Sequence, residues 1–351
     1  MSLVNSTLLS LPQAFSPQRR ENLILAGLAV LLGLALTVGL SFGGVNIPVS
    51  TWFTALAGER DLYSGILVNI RLPRVLLGSF VGAALALSGA AMQALFRNPL
   101  ADPGLTGSAS GGILAVVAGI VLLDHAGGTG GLGTYALPAA AAVACCLTTV
   151  ATYRMARDGD GHVSIANLLL AGIGINALAM AIVGLFITIA DDTQLRSIQF
   201  WMMGSLAGAS WVAVSATLPA LVIATVTLAL RARALDAFTL GESEAFLSGV
   251  DTVRLKRMVI AATALAIGAA VAFTGLIGFV GLVAPHCVRL LGGQRYRFVL
   301  PASALLGAAL VVLADAAARI AITPAELPIG LVTSLIGAPI FIAILRKAQR
   351  P

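Results

Sequence analysis

Apolar residues run in blocks of about 20 along this chain, and the charged residues gather in the short gaps between them. A block of that length crosses the hydrocarbon core of a bilayer as an α-helix. Ten blocks are predicted as spans: 22–42, 73–95, 104–123, 135–153, 163–190, 211–230, 257–275, 277–291, 299–320 and 326–345. The pattern predicts an all-α, polytopic membrane protein. The eighth block is short and interrupted by Pro285, so it is expected to be irregular and buried in protein rather than lipid-facing. Residues 1–21 are expected to be a cytoplasmic N-terminal segment, 22–346 a single transmembrane domain, and 347–351 a cytoplasmic tail. The first block follows Arg19-Arg20, is long enough to span and shows no small-residue cleavage site, so it reads as an uncleaved helix.

Two basic tetrapeptides give the blocks an internal order. Arg71-Leu72-Pro73-Arg74 precedes the second block and Arg254-Leu255-Lys256-Arg257 the seventh. A proline in a similar Ala-containing context follows each, Pro103 in one case and Pro285 in the other. Spans 2–5 and 7–10 therefore read as two copies of one unit. The copies are offset by five spans, an odd number, so they lie in opposite orientations across the membrane, an arrangement typical of transporters. Gly78-xxx-Gly82, Gly107-xxx-Gly111 and Gly204-xxx-Gly208 are candidate sites of close helix approach. Residues Gly127 to Gly131 read as an outer loop. The longest internal polar segment, 231–257, is expected to carry one or two short helices and to dock a cytoplasmic partner, because Phe246 and Leu247 stand among its polar residues.

Composition agrees with the membrane reading: 58% of residues are hydrophobic and 10% charged, against about 25% charged in a soluble domain. The net charge of +6 does not point to nucleic acid, because of where the charges lie. With both termini inside, 16 of the 21 basic residues fall in cytoplasmic segments, the bias that orients a membrane protein. Cys145, Cys146 and Cys287 have neither a disulfide nor a metal spacing and read as small buried residues.

Candidate chemistry is sparse. The only lysines, Lys256 and Lys347, cannot belong to a G-x-x-x-x-G-K-[ST] phosphate loop, so any ATP hydrolysis belongs to another subunit. Asp315, with Arg319 four residues on, reads as an ion pair near the end of the ninth span, with an ion-coupling site as the alternative. His125, His162 and His286 have no partners at ligand spacing. No nucleophile elbow, paired-carboxylate motif or Cys/His cluster is present, which gives a membrane enzyme no support.

Several stretches together resemble a known family. They are Arg71-Leu-Pro-Arg74, Gly89-Ala-Ala-Met-Gln93, Asn98-Pro-Leu-Ala-Asp-Pro-Gly104, Leu168-Leu-Leu-Ala-Gly172 and Trp201-Met-Met-Gly204, then Gly278-Phe-Val-Gly-Leu-Val-Ala-Pro-His286, Glu326-Leu-Pro-Ile-Gly330 and Gly337-Ala-Pro-Ile-Phe341. In this order they resemble the FecCD-type permeases of binding-protein-dependent ABC importers for ferric siderophores, haem and cobalamin. The resemblance covers nearly all of the chain after residue 20. It implies ten helices per subunit, a permease homodimer, two cytoplasmic ATPase subunits that bind ATP and Mg, and a periplasmic substrate-binding protein. It also implies a bacterial cytoplasmic-membrane location and no cofactor bound by this chain.

By the same resemblance, Arg71, Arg74 and Arg319 match arginines that accept glutamates from the two lobes of the binding protein. Asn98, Leu100, Ser164, Ile165 and Ala166 match the cytoplasmic gate around the dimer axis. Gly241, Glu242, Glu244, Phe246 and Gly249 match the coupling helices that sit in the ATPase cleft. Asp102-Pro-Gly104 looks most like the haem and cobalamin permeases, and the apolar, glycine-bearing fifth span suits a broad apolar cargo. Haem is the first expectation for the substrate, ferric siderophore the second and cobalamin the third. An ion-coupled secondary carrier is the reading from another class.

Overall fold

The computed structural model describes residues 16–52, 61–125, 133–158, 163–322 and 325–348. Ten apolar helices within these residues fall on the ten expected spans. They are α1 (Pro17–Ser41), α2 (Leu62–Leu95), α3 (Ser108–His125), α4 (Gly133–Met155), α5 (Ile165–Ile189), α7 (Trp211–Leu230), α10 (Thr252–Thr274), α11 (Val280–Leu291), α12 (Tyr296–Ala321) and α13 (Ile329–Ala348). Seven are long and apolar enough to cross a membrane, and the third, eighth and tenth are shorter apolar helices. A 3-10 turn over Pro103–Thr106 and three shorter helices lie between them: α6 (Asp192–Met203), α8 (Ala232–Leu240) and α9 (Glu242–Leu247). The last two lie in the segment expected to hold short helices outside the bilayer. Residues 127–131, 162 and 60 lie outside the described residues.

Helix α2 is the axis of the bundle. It packs against α12, α10, α11 and α7, and from Pro73 to Leu95 nearly every side chain is buried. Two glycines allow that density. A methyl group on Gly82 would meet the backbone of Gly307 on α12, and one on Gly89 would meet the carbonyl of Gly281 on α11. Without a hydrophobic driving force between helices in lipid, such backbone approach supplies the packing energy.

The internal repeat shows in the packing. Helix α2 packs on α12 as α10 packs on α4, and α2 packs on α11 as α10 packs on α3. Under a mapping of spans 2–5 onto 7–10, these contacts exchange with one another.

Four expectations need correction. Pro285 does not break the eighth span: α11 is continuous from Val280 to Leu291, and every residue from Val280 to Pro285 is buried, as expected. The proline leaves the Gly281 carbonyl without its helical donor, at the point where α11 crosses Gly89. The irregular stretch lies before the helix instead, with Gly275 and Phe279 at positive φ. Arg71 does not precede a helix but lies inside one, at a π-helical turn over Leu67–Arg71 that re-aims its side chain. Gly204-xxx-Gly208 is no helix-packing motif, because Gly204 ends α6 at φ +72 and Gly208 has no close neighbour. Cys145 is buried as expected, but Cys146 is exposed and Cys287 only partly buried.

Candidate functional site

Two charged constellations stand at opposite ends of the α2–α12 pair. Arg74 and Gln93 are separated along α2 by the same number of residues as Asp315 and Tyr296 along α12, or about 28 Å at 1.5 Å per residue.

At the first end the structure brings Arg71, Arg74 and Arg319 together. Arg74 donates to both carboxylate oxygens of Asp315, at 2.9–3.1 Å, and to both of Glu326, at 2.9 and 3.1 Å. Arg319 reaches Asp315 at 3.1 Å, the i,i+4 pair expected from sequence. Arg71 forms no ion pair among the described residues. It donates to the carbonyls of Leu40 (3.4 Å), Phe42 and Val45 at the C-terminal end of α1, and Arg319 donates to Gly39 O at 2.9 Å. Guanidinium groups thus cap the carbonyl end of α1, where the helix dipole favours positive charge. Gly43, at φ +157, lies directly against the Arg71 guanidinium, which occupies the space a Cβ would fill. All three arginines and Asp315 are buried, whereas the Glu326 side chain is 42% exposed. Three cations face two anions, and Arg319 Nη1 is buried without a hydrogen-bond partner among the described residues.

At the second end, Lys256 is 2% exposed and donates to the Glu242 carboxylate at 2.6 Å and to the Val163 carbonyl at 2.7 Å. Glu242 opens α9, while Val163 directly precedes the 164–166 stretch. A second chain of contacts starts on α8. Asp236 accepts the Tyr296 N–H at 2.7 Å at the start of α12. Arg289 of α11 donates to the Tyr296 hydroxyl at 3.0 Å and to the Gln93 side chain of α2. Desolvation raises the Asp236 pKa, opposed by the Tyr296 N–H and by Arg295 and Arg297.

The expected gate residues divide into two loops. Asn98 accepts the Leu100 N–H at 2.9 Å and closes the turn after α2. Ser164, Ile165 and Ala166 begin α5; Ile165 packs on the core and Ala166 is exposed. Gly241 turns the chain between α8 and α9 at φ +149, with the Glu244 carboxylate where a Cβ would stand, and Gly249 follows α9 at φ +82. Phe246 and Leu247 are 68% and 84% exposed, as is Leu240 of α8 at 78%. Sequence reasoning did not assign roles to Lys256, Glu326, Asp236, Arg289 or Gln93. For Lys256 a signal existed: it is one of two lysines in the chain and precedes a span. The others needed partners distant in sequence.

The arrangement is that of a helical permease. It has a spanning bundle, a paired set of short helices with exposed apolar tips at one end, and no phosphate loop of its own. The chain belongs to the FecCD transport family, whose model matches residues 24–347. It is 42% identical to the hemin transport system permease protein HmuU of Yersinia pestis over 94% of this chain and 98% of that one. Identity to the vitamin B12 import system permease protein BtuC of Escherichia coli is 40%, over 95% and 98%. An ABC transporter permease protein of Bacillus subtilis, YvrB, is 39% identical over 91% and 92%. Among solved structures, a metal-chelate type ABC transporter in an inward-facing conformation superposes with a TM-score of 0.82 at 31% identity, covering 93% of this chain and 99% of that one. The chain is thus an ABC importer permease, a transport subunit rather than an enzyme, and it spans the membrane.

Proposed function

We propose that this permease imports haem into a bacterial cytoplasm, as a homodimer with two ATPase subunits on its cytoplasmic face and a periplasmic protein delivering the substrate. The 42% identity to a hemin permease over nearly the full length carries the choice of cargo. The surface of α5 supports a broad apolar pathway: Leu170, Ile173, Leu178 and Leu185 are exposed, and Gly174 and Gly184 have no neighbour where a side chain would stand. In the homodimer this face meets the partner's. The 40% identity to vitamin B12 permeases supports cobalamin to a similar degree, which lifts it from the third expectation above ferric siderophore, the second. The deciding experiment is growth of a strain lacking this gene and its other iron routes. Loss of growth on haemin, restored by the gene, is the expected result. Normal growth on haemin with failure on a ferric siderophore or cobalamin overturns the choice.

The arginine cluster is the proposed docking point for the periplasmic protein, with both termini on the opposite, cytoplasmic side. Arg74 is held by one buried carboxylate and one half-exposed carboxylate, so an incoming glutamate exchanges with Glu326 and leaves Asp315 in place. Bidentate pairing at a rim orients a partner as well as binding it. Glu326→Gln removes the competitor and is expected to tighten docking several-fold at low salt; an unchanged Kd would sink this role.

Helices α8 and α9 are the proposed coupling elements, with Leu240, Phe246 and Leu247 seated in the ATPase and Gly241, Glu244 and Gly249 shaping the turns. Glu242 has a different task in this reading. Through Lys256 it ties α9 to Val163, and so to the gate at Ser164, Ile165 and Ala166. Asn98 and Leu100 form the facing part of that gate, joined to α8 through Gln93, Arg289, Tyr296 and Asp236.

A further inference from the structure

The furrow between α4 and α10 takes no part in any of this. It has a volume of about 400 Å³, and its lining includes Arg154, Arg157 and Arg257 together with Val150 and Ala261. Leu147, Val150 and Arg154 follow one another at i, i+3 and i+7, so one face of α4 runs from apolar to basic, and Arg157 adds a second guanidinium from the extended chain just after the helix. Leu147 is 64% and Val150 48% exposed on a helix long enough to span, which turns this face toward acyl chains. Arg257 arrives from the first turns of α10 and converges on the same end from the other wall.

No described carboxylate answers these three charges. None of the three arginines forms an ion pair among the described residues. Asp158, next to Arg157, accepts from the Asn167 side chain at 2.9 Å, and Asp251 is occupied in capping α10. An arginine that only snorkels to the membrane surface needs no counterpart on a neighbouring helix. Two helices that place three guanidinium groups above one apolar furrow make a receptor for a headgroup and its chain.

We infer that this furrow binds an anionic phospholipid, with the phosphate held by Arg154, Arg157 and Arg257 and an acyl chain lying along Val150 and Ala261. Guanidinium groups match phosphate geometry bidentately, and basic pockets between spanning helices select acidic headgroups over zwitterionic ones. The lipid bridges α4 and α10 at the end that carries α9.

The test is titration of the purified full-length permease in detergent with dioleoyl phosphatidylglycerol and with dioleoyl phosphatidylcholine, read as retained lipid adducts by native mass spectrometry. The wild type is expected to retain phosphatidylglycerol preferentially, with glycerol phosphate failing to displace it. The triple variant R154Q/R157Q/R257Q is expected to lose at least about tenfold in phosphatidylglycerol affinity. If the triple variant does not fold, Ala261→Trp serves instead: it fills the exposed furrow, leaves every arginine in place, and should lower retention as well. Equal retention of both lipids, unchanged retention in a folded variant, or displacement by glycerol phosphate overturns the proposal. So does displacement of the lipid when the ATPase subunit is added, which would make the furrow a protein interface.

Discussion

The two charged ends of the α2–α12 pair are built on opposite principles. Around Arg74 the charges are deep, shared and multiply bonded: one guanidinium serves two carboxylates, and Asp315 serves two guanidiniums. Around Lys256 each joint is single, with one lysine, one carboxylate from α9 and one carbonyl before α5. The first end joins spanning helices to one another and holds them fixed. The second joins spanning helices to short helices with exposed apolar tips.

The largest expected effect comes from breaking the redundant end. Arg74→Ala leaves Asp315 with Arg319 alone in a buried site, and removal of one partner of a buried pair costs about 3–5 kcal/mol. Equilibrium unfolding in detergent measures it; a loss below about 1 kcal/mol would mean the cluster behaves as a surface ion pair. The double variant R74A/D315A should be no more stable than R74A, since the buried Arg319 then loses its carboxylate as well.

Next in size is the shaft between the ends. Gly89→Val places branched carbons against the Gly281 backbone. Neither helix backbone can yield as a side chain would, so the cost should reach about 3 kcal/mol, the upper part of the overpacking range. A change in the unfolding midpoint within error would show that α2 and α11 slide freely, and the two ends would then be mechanically independent.

Lys256→Met separates stability from coupling. A stranded Val163 carbonyl costs about 1–3 kcal/mol, and Glu242 turns to water. In the assembled importer, ATP hydrolysis should continue while substrate moved per ATP falls several-fold. Lys256→Arg should restore part of the ratio. Hydrolysis and transport falling together would reduce Lys256 to a structural residue.

The smallest effect on stability, and the sharpest contrast, belongs to Phe246→Ala. The side chain is exposed, so unfolding should shift by no more than about 0.5 kcal/mol, yet affinity for the ATPase should fall. A variant that binds the ATPase normally would remove the α9 tip from the interface.

Both ends were partly visible in the sequence, to different depths. Arg319 four residues after Asp315 is a helical spacing, so that pair could be read directly. The short helices at 232–247 were legible as a polar segment with a few apolar residues and glycine at its turns. The Arg74–Asp315 contact spans 241 positions, and no local pattern encodes it. The contact of Glu242 with Lys256, fourteen residues later, was likewise not legible, because the chain has to fold back to make it.

By itself, the sequence determined the spans and their number. In lipid every backbone group must be satisfied within its own helix, so a run of about 20 apolar residues specifies an element without reference to the rest of the chain. It also carried the internal repeat and the motifs that resemble the family. The tertiary structure alone decided which charges meet, that Pro285 sits inside a continuous helix, that Arg71 at a π-helical turn caps the end of α1, and that Arg257 converges on Arg154 and Arg157. These outcomes depend on helix rotation and on backbone approach at glycine. Both are set by packing energies summed over many distant neighbours, and no window of sequence contains them.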